Sequence, residues 1–140
     1  MKVENAVTPQ PEQIQEFLAT PGPVMMVNLL KFREKASYPD GRDPDLPGRQ
    51  AYERYATAMK VLVEESGGRF VFGAQVEGLL LGAVESLWDA VGIVEYPSAA
   101  ALIQIASTPR FQEIEVHRVA GLEGQLNLTT RASPLGEADA

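Results

Sequence analysis

Nine consecutive residues, Val24-Met25-Met26-Val27-Asn28-Leu29-Leu30-Lys31-Phe32, constrain this chain more than any other stretch. Pro21 and Pro23 stand before them, and proline can neither donate to a ladder nor continue a helix, so the run begins a new element and reads as a strand. Alternation sends Val24, Met26, Leu30 and Phe32 to one side with Asn28, and Met25, Val27 and Leu29 to the other with Lys31. A strand that is apolar on both sides belongs to a sheet covered on both sides, by its own helices or by another subunit. A chain of 140 residues makes one core comfortably, so the second cover is what needs explaining.

The remaining pattern supplies one cover only. Ile14, Phe17 and Leu18 follow Pro9 and Pro11 at helical spacing, which predicts a short amphipathic helix. Residues 34–48 carry Pro39, Gly41, Pro44, Pro47 and Gly48 and read as a long loop of the kind that forms lids or binding loops. From Arg49, the stripe Tyr52, Tyr55, Met59, Leu62 and Val63 predicts a helix that stops at Ser66-Gly67-Gly68. A second strand starts at Arg69, with Gly73 and Gly78 inviting a bulge and Leu79-Leu80-Leu81 as its continuation. Trp88 to Tyr96 reads as its antiparallel neighbour. Ser98 caps a helix through Ala106, Thr108-Pro109 starts another, and Leu126 and Leu128 alternate with polar residues in a last strand.

The order is a short helix followed by β-α-β-β-α-β, an α+β, ferredoxin-like arrangement with a four-stranded antiparallel sheet. The expected division is an N-terminal helical extension over 1–20, the α+β domain over 21–131 and a flexible tail over 132–140. Both helices of such a unit lie on one face of the sheet. Sheet-to-sheet pairing of two copies is the simplest cover for the other, so a homodimer is expected.

A formal charge of −7 argues against nucleic acid as a partner, because that affinity rests on rows of Lys and Arg. Val24 to Leu30 and Gly78 to Val84, the longest uncharged apolar-rich stretches, fall far short of a membrane span, and no membrane partner is expected. The N-terminus lacks the pattern of a signal peptide, and the chain has no cysteine, which fits a cytoplasmic location and removes thiol chemistry. One histidine without cysteine cannot build a zinc site of the usual N and S ligands, and the acidic loop Asp40, Asp43, Asp45 lacks the calcium-loop pattern. No metal and no cofactor are expected.

Several segments together resemble one family: Pro23 through Phe32, Gly48-Arg49-Gln50-Ala51-Tyr52-Glu53-Arg54-Tyr55, Val94-Glu95-Tyr96-Pro97-Ser98, and Ser107-Thr108-Pro109-Arg110-Phe111-Gln112 with His117-Arg118 and Ala120-Gly121-Leu122. The set is similar to the domain of unknown function family 1330, over roughly 21–131. The resemblance implies a dimeric α+β barrel in which two ferredoxin-like protomers pack sheet against sheet. The wider superfamily implies a small-molecule pocket between sheet and helices. It spans cofactor-independent monooxygenases, isomerases, haem-binding enzymes and ligand-sensing modules, so the fold leaves the chemistry open.

The residues offer candidates for that chemistry. His117, the only histidine, sits beside Arg118 with Arg110 seven residues earlier; an imidazole can move a proton and a guanidinium can hold an anionic oxygen. The plainer alternative is a histidine that packs or caps. Glu95, on an apolar strand, is a candidate acid or base, or else the partner of Arg110 or Arg118 in an ion pair. Asn28 and Lys31 interrupt an apolar strand and need a hydrogen-bond partner or a ligand. Tyr52, Tyr55, Tyr96 and Trp88 can present polar tips to a pocket, although Tyr55 belongs to the core stripe and fits packing better. The expected function is a cofactor-independent enzyme, of isomerase or monooxygenase type, acting by proton transfer on a small organic substrate. His117 and Glu95 are then catalytic, and Asn28, Lys31, Tyr52, Trp88, Arg110 and Arg118 bind the substrate. The alternative is a non-catalytic metabolite-binding or interaction module.

Overall fold

In a computed structural model that describes residues 2–133 and Leu135, the elements run α1 (Pro11–Leu18), β1 (Val24–Phe32), α2 (Gly48–Glu65), β2 (Arg69–Gln75), β3 (Ala90–Tyr96), α3 (Ala99–Ala106), α4 (Pro109–Gly121) and β4 (Leu122–Thr130). The four strands form one antiparallel sheet in the order β2-β3-β1-β4. This is the ferredoxin-like arrangement that the element order predicts. The expected tail from 132 lies mostly outside the described residues.

β1 and β3 are the two inner strands, as suits segments with apolar residues on both sides. The register of β1 sets the two faces: Val24 pairs with Tyr96, Met26 with Val94 and Leu30 with Ala90 on the helix side. On the other side Val27 lies opposite Ile93 and Leu128, and Leu29 opposite Val91 and Leu126. Val24, Met26 and Leu30 are buried, while Met25, Val27 and Leu29 stay half-buried because no helix reaches them.

The helix side is covered mainly by α2 and α4, which cross at two glycines. A Cβ on Gly48 would meet the carbonyl oxygen of Arg33 and lie 2.7 Å from that of Gly121, and one on Gly121 would meet the carbonyl oxygen of Gly48. Only backbone without side chain fits that crossing. Ser98 and Thr108 cap α3 and α4 by accepting from the amides of Ala101 and Phe111 at 3.1 and 3.2 Å.

Three expectations about local structure change. β2 ends at Gln75, so Leu79-Leu80-Leu81 belong to the loop 76–89 and not to a strand, and Trp88 precedes β3. The bulge falls between Phe70 and Phe72, while Gly73 pairs in register with Gly92. The long loop 34–48 is a packed strap: Ala36 donates to the Leu46 carbonyl at 2.7 Å and Ser37 to that of Ala120 at 2.9 Å. Ala36 and Tyr38 are buried against Ala51 and Ala120, which gives the strap an apolar anchor.

Candidate functional site

Asn28 lies midway along the helix-facing side of β1, between two apolar clusters. One gathers Val24, Met26, Met59, Val63, Tyr96 and Phe111, and the other Leu30, Ala90 and Leu122. The strand positions beside it decide what happens there. Asn28 pairs with Gly92, Gly92 with Gly73, and Asn28 with Asn127. A Cβ placed on Gly92 or Gly73 meets nothing within 4 Å. The row thus holds two positions without side chains, and the helix layer above does not descend to fill them. A cleft is left between sheet and helices.

The hollow has a volume of about 1390 Å³ and continues around the strands, taking in Val91 and Leu128 of the open face. The part between sheet and helices is the chemically distinctive one. Its lining is aromatic, running from Phe32 at the end of β1 through Tyr52 and Tyr55 of α2 to Phe111 of α4. Ring centroids of Phe32 and Tyr52 lie 5.6 Å apart, those of Tyr52 and Tyr55 5.5 Å, and those of Tyr55 and Phe111 6.3 Å. The guanidinium of Arg49 sits over the Phe32 ring at 4.7 Å. Tyr52 and Tyr55 reach the cleft together because a three-residue spacing on α2 puts them on one face.

The hydroxyls of Tyr52, Tyr55 and Tyr96 border this cleft and, among the described residues, make no hydrogen bond. Burial holds all three phenols well above the ordinary tyrosine range, Tyr55 being pushed up to about 12. Arg118 moderates the rise at Tyr52 and Tyr55, which places its charge near both. All three stay neutral through the physiological range and are available as donors.

A polar relay runs along one side. Arg118 can only donate, and it does so from Nη1 to Gln125 Oε1 at 2.8 Å. The Gln125 amide nitrogen is thereby turned toward Asn28 Oδ1, also at 2.8 Å, and the Asn28 amide in turn donates to the Gly92 carbonyl at 3.2 Å. One cation thus fixes the sense of every bond in the row. Arg118 Nη2 also donates to the Val7 carbonyl at 2.7 Å and approaches Glu115 at 3.4 Å, tying the N-terminal segment to the cleft. The Ala6 amide donates to the Gln125 carbonyl at 3.2 Å beside it.

Of the residues expected from sequence, Asn28, Tyr52 and Arg118 border the cleft; His117, Glu95, Lys31, Trp88 and Arg110 do not. Glu95 pairs with Arg69 at 3.0 Å on the open face of the sheet, in place of Arg110 or Arg118. Arg110 bonds to Glu65 at 2.7 Å on the exposed α2–α4 surface. Lys31 donates to the Leu87 carbonyl at 3.1 Å and meets Asp89 at 3.4 Å, anchoring the loop 76–89.

His117 faces the strap. Its Nδ1 lies 2.7 Å from the Tyr38 hydroxyl, which also accepts from Arg54 Nη1 at 3.1 Å. The phenol's own hydrogen is then free to point at Nδ1, an arrangement that suits a neutral imidazole. Burial, with Arg42 and Arg54 close by, lowers the histidine's affinity for a proton.

Gly73, Gly92 and Gln125 have no place among the expected site residues, and Tyr55 and Tyr96, whose tips could face a pocket, are not in the expected substrate-binding set. The signal for Tyr55 is its spacing from Tyr52, and that for Gln125 is its alternation with Asn127 on a strand whose other face is leucine. Among the described residues no cluster of three or more His, Asp or Glu is placed to hold a metal, and no helix is long and apolar enough to cross a membrane.

The family described as Domain of unknown function (DUF1330) matches residues 45–131. The RPA0582 protein of unknown function from Rhodopseudomonas palustris is 32% identical, over 94% of this chain and 100% of that one, with a TM-score of 0.82. Its methylated form gives 33% identity, 95% and 98% coverage and a TM-score of 0.86. SnoaB, a cofactor-independent oxygenase from Streptomyces nogalater, is 14% identical, with 84% of this chain and 100% of that one covered and a TM-score of 0.53. A dimeric ferredoxin-like protein of unknown function from Jannaschia sp. CCS1 is 12% identical, covering 79% and 100%, with a TM-score of 0.53. At those last two identities the likeness is one of fold alone. No curated protein matches the chain.

Proposed function

The chain belongs to the DUF1330 family, which brings a shared fold without an assigned chemistry, and from that premise we propose that it is a homodimeric small-molecule-binding protein whose ligand lies between sheet and helices. The observation that carries this reading is the set of three phenolic hydroxyls, of Tyr52, Tyr55 and Tyr96, bordering the cleft without a protein partner. Polar groups in an apolar setting are ordinarily satisfied by protein, water or ligand. Apolar walls with a few convergent polar groups are the usual form of a ligand site.

The finer reading is catalysis without a cofactor, of isomerase or oxygenase type. Neutral phenols and the Arg118 guanidinium are donors suited to an oxygen that gains negative charge, as a carbonyl does when a neighbouring carbon loses a proton. SnoaB lends this reading a precedent on the same fold and no residue roles. In this proposal Asn28, Tyr52 and Arg118 act on the ligand, while His117 and Glu95 serve the strap and the open sheet face.

The test is a plug. Replacing Gly92 by Leu fills open space on the cleft floor and removes no polar side chain. Native mass spectrometry of freshly purified protein is expected to show a retained small molecule in the wild type and none in Gly92→Leu, with the melting temperature preserved. Equal retention in both sinks the cleft as the binding site. Recovery of an altered compound after incubation separates the enzyme from the carrier.

A further inference from the structure

The shape of the cleft carries more than the existence of a ligand. Its floor is a strip of strand backbone, Gly92 beside Gly73, where no side chain rises from the sheet. Its roof is the run of helix-borne rings Tyr52, Tyr55 and Phe111, each within 6.3 Å of the next, with Phe32 of β1 5.6 Å from Tyr52 at the end of the run. A bare peptide strip on one side and aromatic rings on the other offer flat surfaces to a ligand, in a hollow that opens at the exposed edge strand β2. An alkyl chain has no need of a flat floor, and a branched aliphatic body is hindered by one. A planar conjugated ring system lies against peptide planes on one side and ring faces or edges on the other, where aromatic contacts add to simple area burial.

The polar groups lie to one side of this hollow. The relay Arg118–Gln125–Asn28 runs along the β1–β4 side, and β4 adds Asn127 to the same row. The glycines lie on the β3–β2 side. A ligand that fills both halves has its flat body over the glycines and its oxygen atoms toward Arg118 and the phenols. Arg118 is already partnered by Val7 and Glu115, so its positive charge is shared, and one anionic or strongly polarised oxygen suits it better than a phosphate.

We infer that the cleft takes a planar aromatic or conjugated compound bearing a carboxylate or carbonyl oxygen, its rings over Gly73 and Gly92 and its oxygen among Tyr52, Tyr55 and Arg118. This rests on the binding reading above and narrows it to a substrate class.

The experiment compares two probes of similar carbon number, 2-naphthoate and decanoate, by isothermal titration against wild type, Gly92→Leu, Gly73→Leu and Tyr55→Phe. Expected is saturable binding of 2-naphthoate, at least tenfold tighter than decanoate, lost in both leucine variants and weakened about tenfold in Tyr55→Phe, the scale of one hydrogen bond. Two glycine positions are used so that misfolding of either variant, seen by circular dichroism, leaves the other to report.

Decanoate binding that depends on the glycines, with 2-naphthoate weaker or absent, overturns the planar class and leaves the binding reading intact. So does a retained native compound that is aliphatic and is lost in Gly92→Leu. Binding of 2-naphthoate that is indifferent to both leucine variants places it elsewhere and overturns this placement. Undiminished affinity in Tyr55→Phe removes the phenol from recognition.

Discussion

His117 is the residue whose chemistry is most easily misplaced, because a lone histidine beside an arginine invites a catalytic role. Its hydrogen-bond partner, Tyr38, lies 79 residues away on a loop, and nothing in the spacing of either residue reveals the pairing. The charges around the ring are Arg42 and Arg54, with Asp43 bonded to Arg54 at 2.9 Å on the strap and Arg118 next in the chain. A histidine whose proton affinity is lowered by folding binds more protons unfolded than folded, so stability rises with pH across its titration. Its contribution is whole above the unfolded value near 6.5 and is lost as pH falls below it toward the lower folded value. Chemical denaturation at a series of pH values is expected to show the unfolding midpoint dropping below about pH 6.5. In His117→Gln that slope should flatten, and an unchanged slope would assign the acid sensitivity to other groups. Asn28 is the contrasting case. It was legible as a site residue because a polar side chain in an apolar strand must be satisfied, and here it is held by Gln125 and Gly92. Gly92 was illegible for the opposite reason: a missing side chain has meaning only once the register says which face it vacates.

Among the elements, those read correctly from sequence are the ones whose signals are local. The turn Ser66-Gly67-Gly68, the Ser98 cap and the Thr108-Pro109 restart all act within a few residues. β2 was overextended because Leu79-Leu80-Leu81 look like strand, yet strand pairing stops at Gln75 opposite Ala90. The crossing of α2 and α4 is a tertiary fact with no local signature, and it makes a sharp prediction. In Gly121→Ala the new methyl meets backbone, the Gly48 carbonyl oxygen and the Tyr52 amide 2.8 Å away, so neither neighbour can swing aside. Overpacking costs about 1–3 kcal/mol, and against unyielding backbone the upper part of that range outweighs the roughly 1 kcal/mol by which alanine favours a helix over glycine. Urea unfolding of Gly121→Ala is expected at a clearly lower midpoint with an unchanged slope. Gly92→Ala, whose methyl enters open space, should unfold at or slightly above the wild-type midpoint. Equal midpoints for the two variants would mean that the helix pair has room to part.

The scale of the whole molecule returns to the two-sided strand. Helices account for one side of β1. The other carries Met25, Val27 and Leu29, with Ile93 and Leu128 beside Val27, and Phe72, opposite Ile93, is left 55% exposed. Between β2 and β3 the loop 76–89 presents Leu80 and Leu81 at 97% and 85% exposure, although Lys31 and Asp89 pin its base to the sheet. In the homodimer proposed above, the apolar sheet face is the surface that a second copy covers, and the exposed leucines are candidates for the same contact. Two identical faces meeting about a two-fold axis put each residue near the axis in contact with its own equivalent or a near neighbour. A charge placed at the centre is therefore introduced twice into one dry interface. If the proposed homodimer holds, Ile93→Asp is expected to sediment as a folded monomer at concentrations where the wild type sediments as a dimer, because two buried carboxylates without partners cost several kcal/mol. Leu80→Asp, at the periphery, should weaken the dimer without abolishing it. The proposed association is apolar, so raising the salt from 50 to 500 mM is expected to leave the dimer intact, in contrast to one held by exposed ion pairs (roughly 3 Å screening near 1 M). A wild-type monomer at micromolar concentration, or an Ile93→Asp variant that remains dimeric, would leave the open face of this sheet without its cover and return the question that β1 poses.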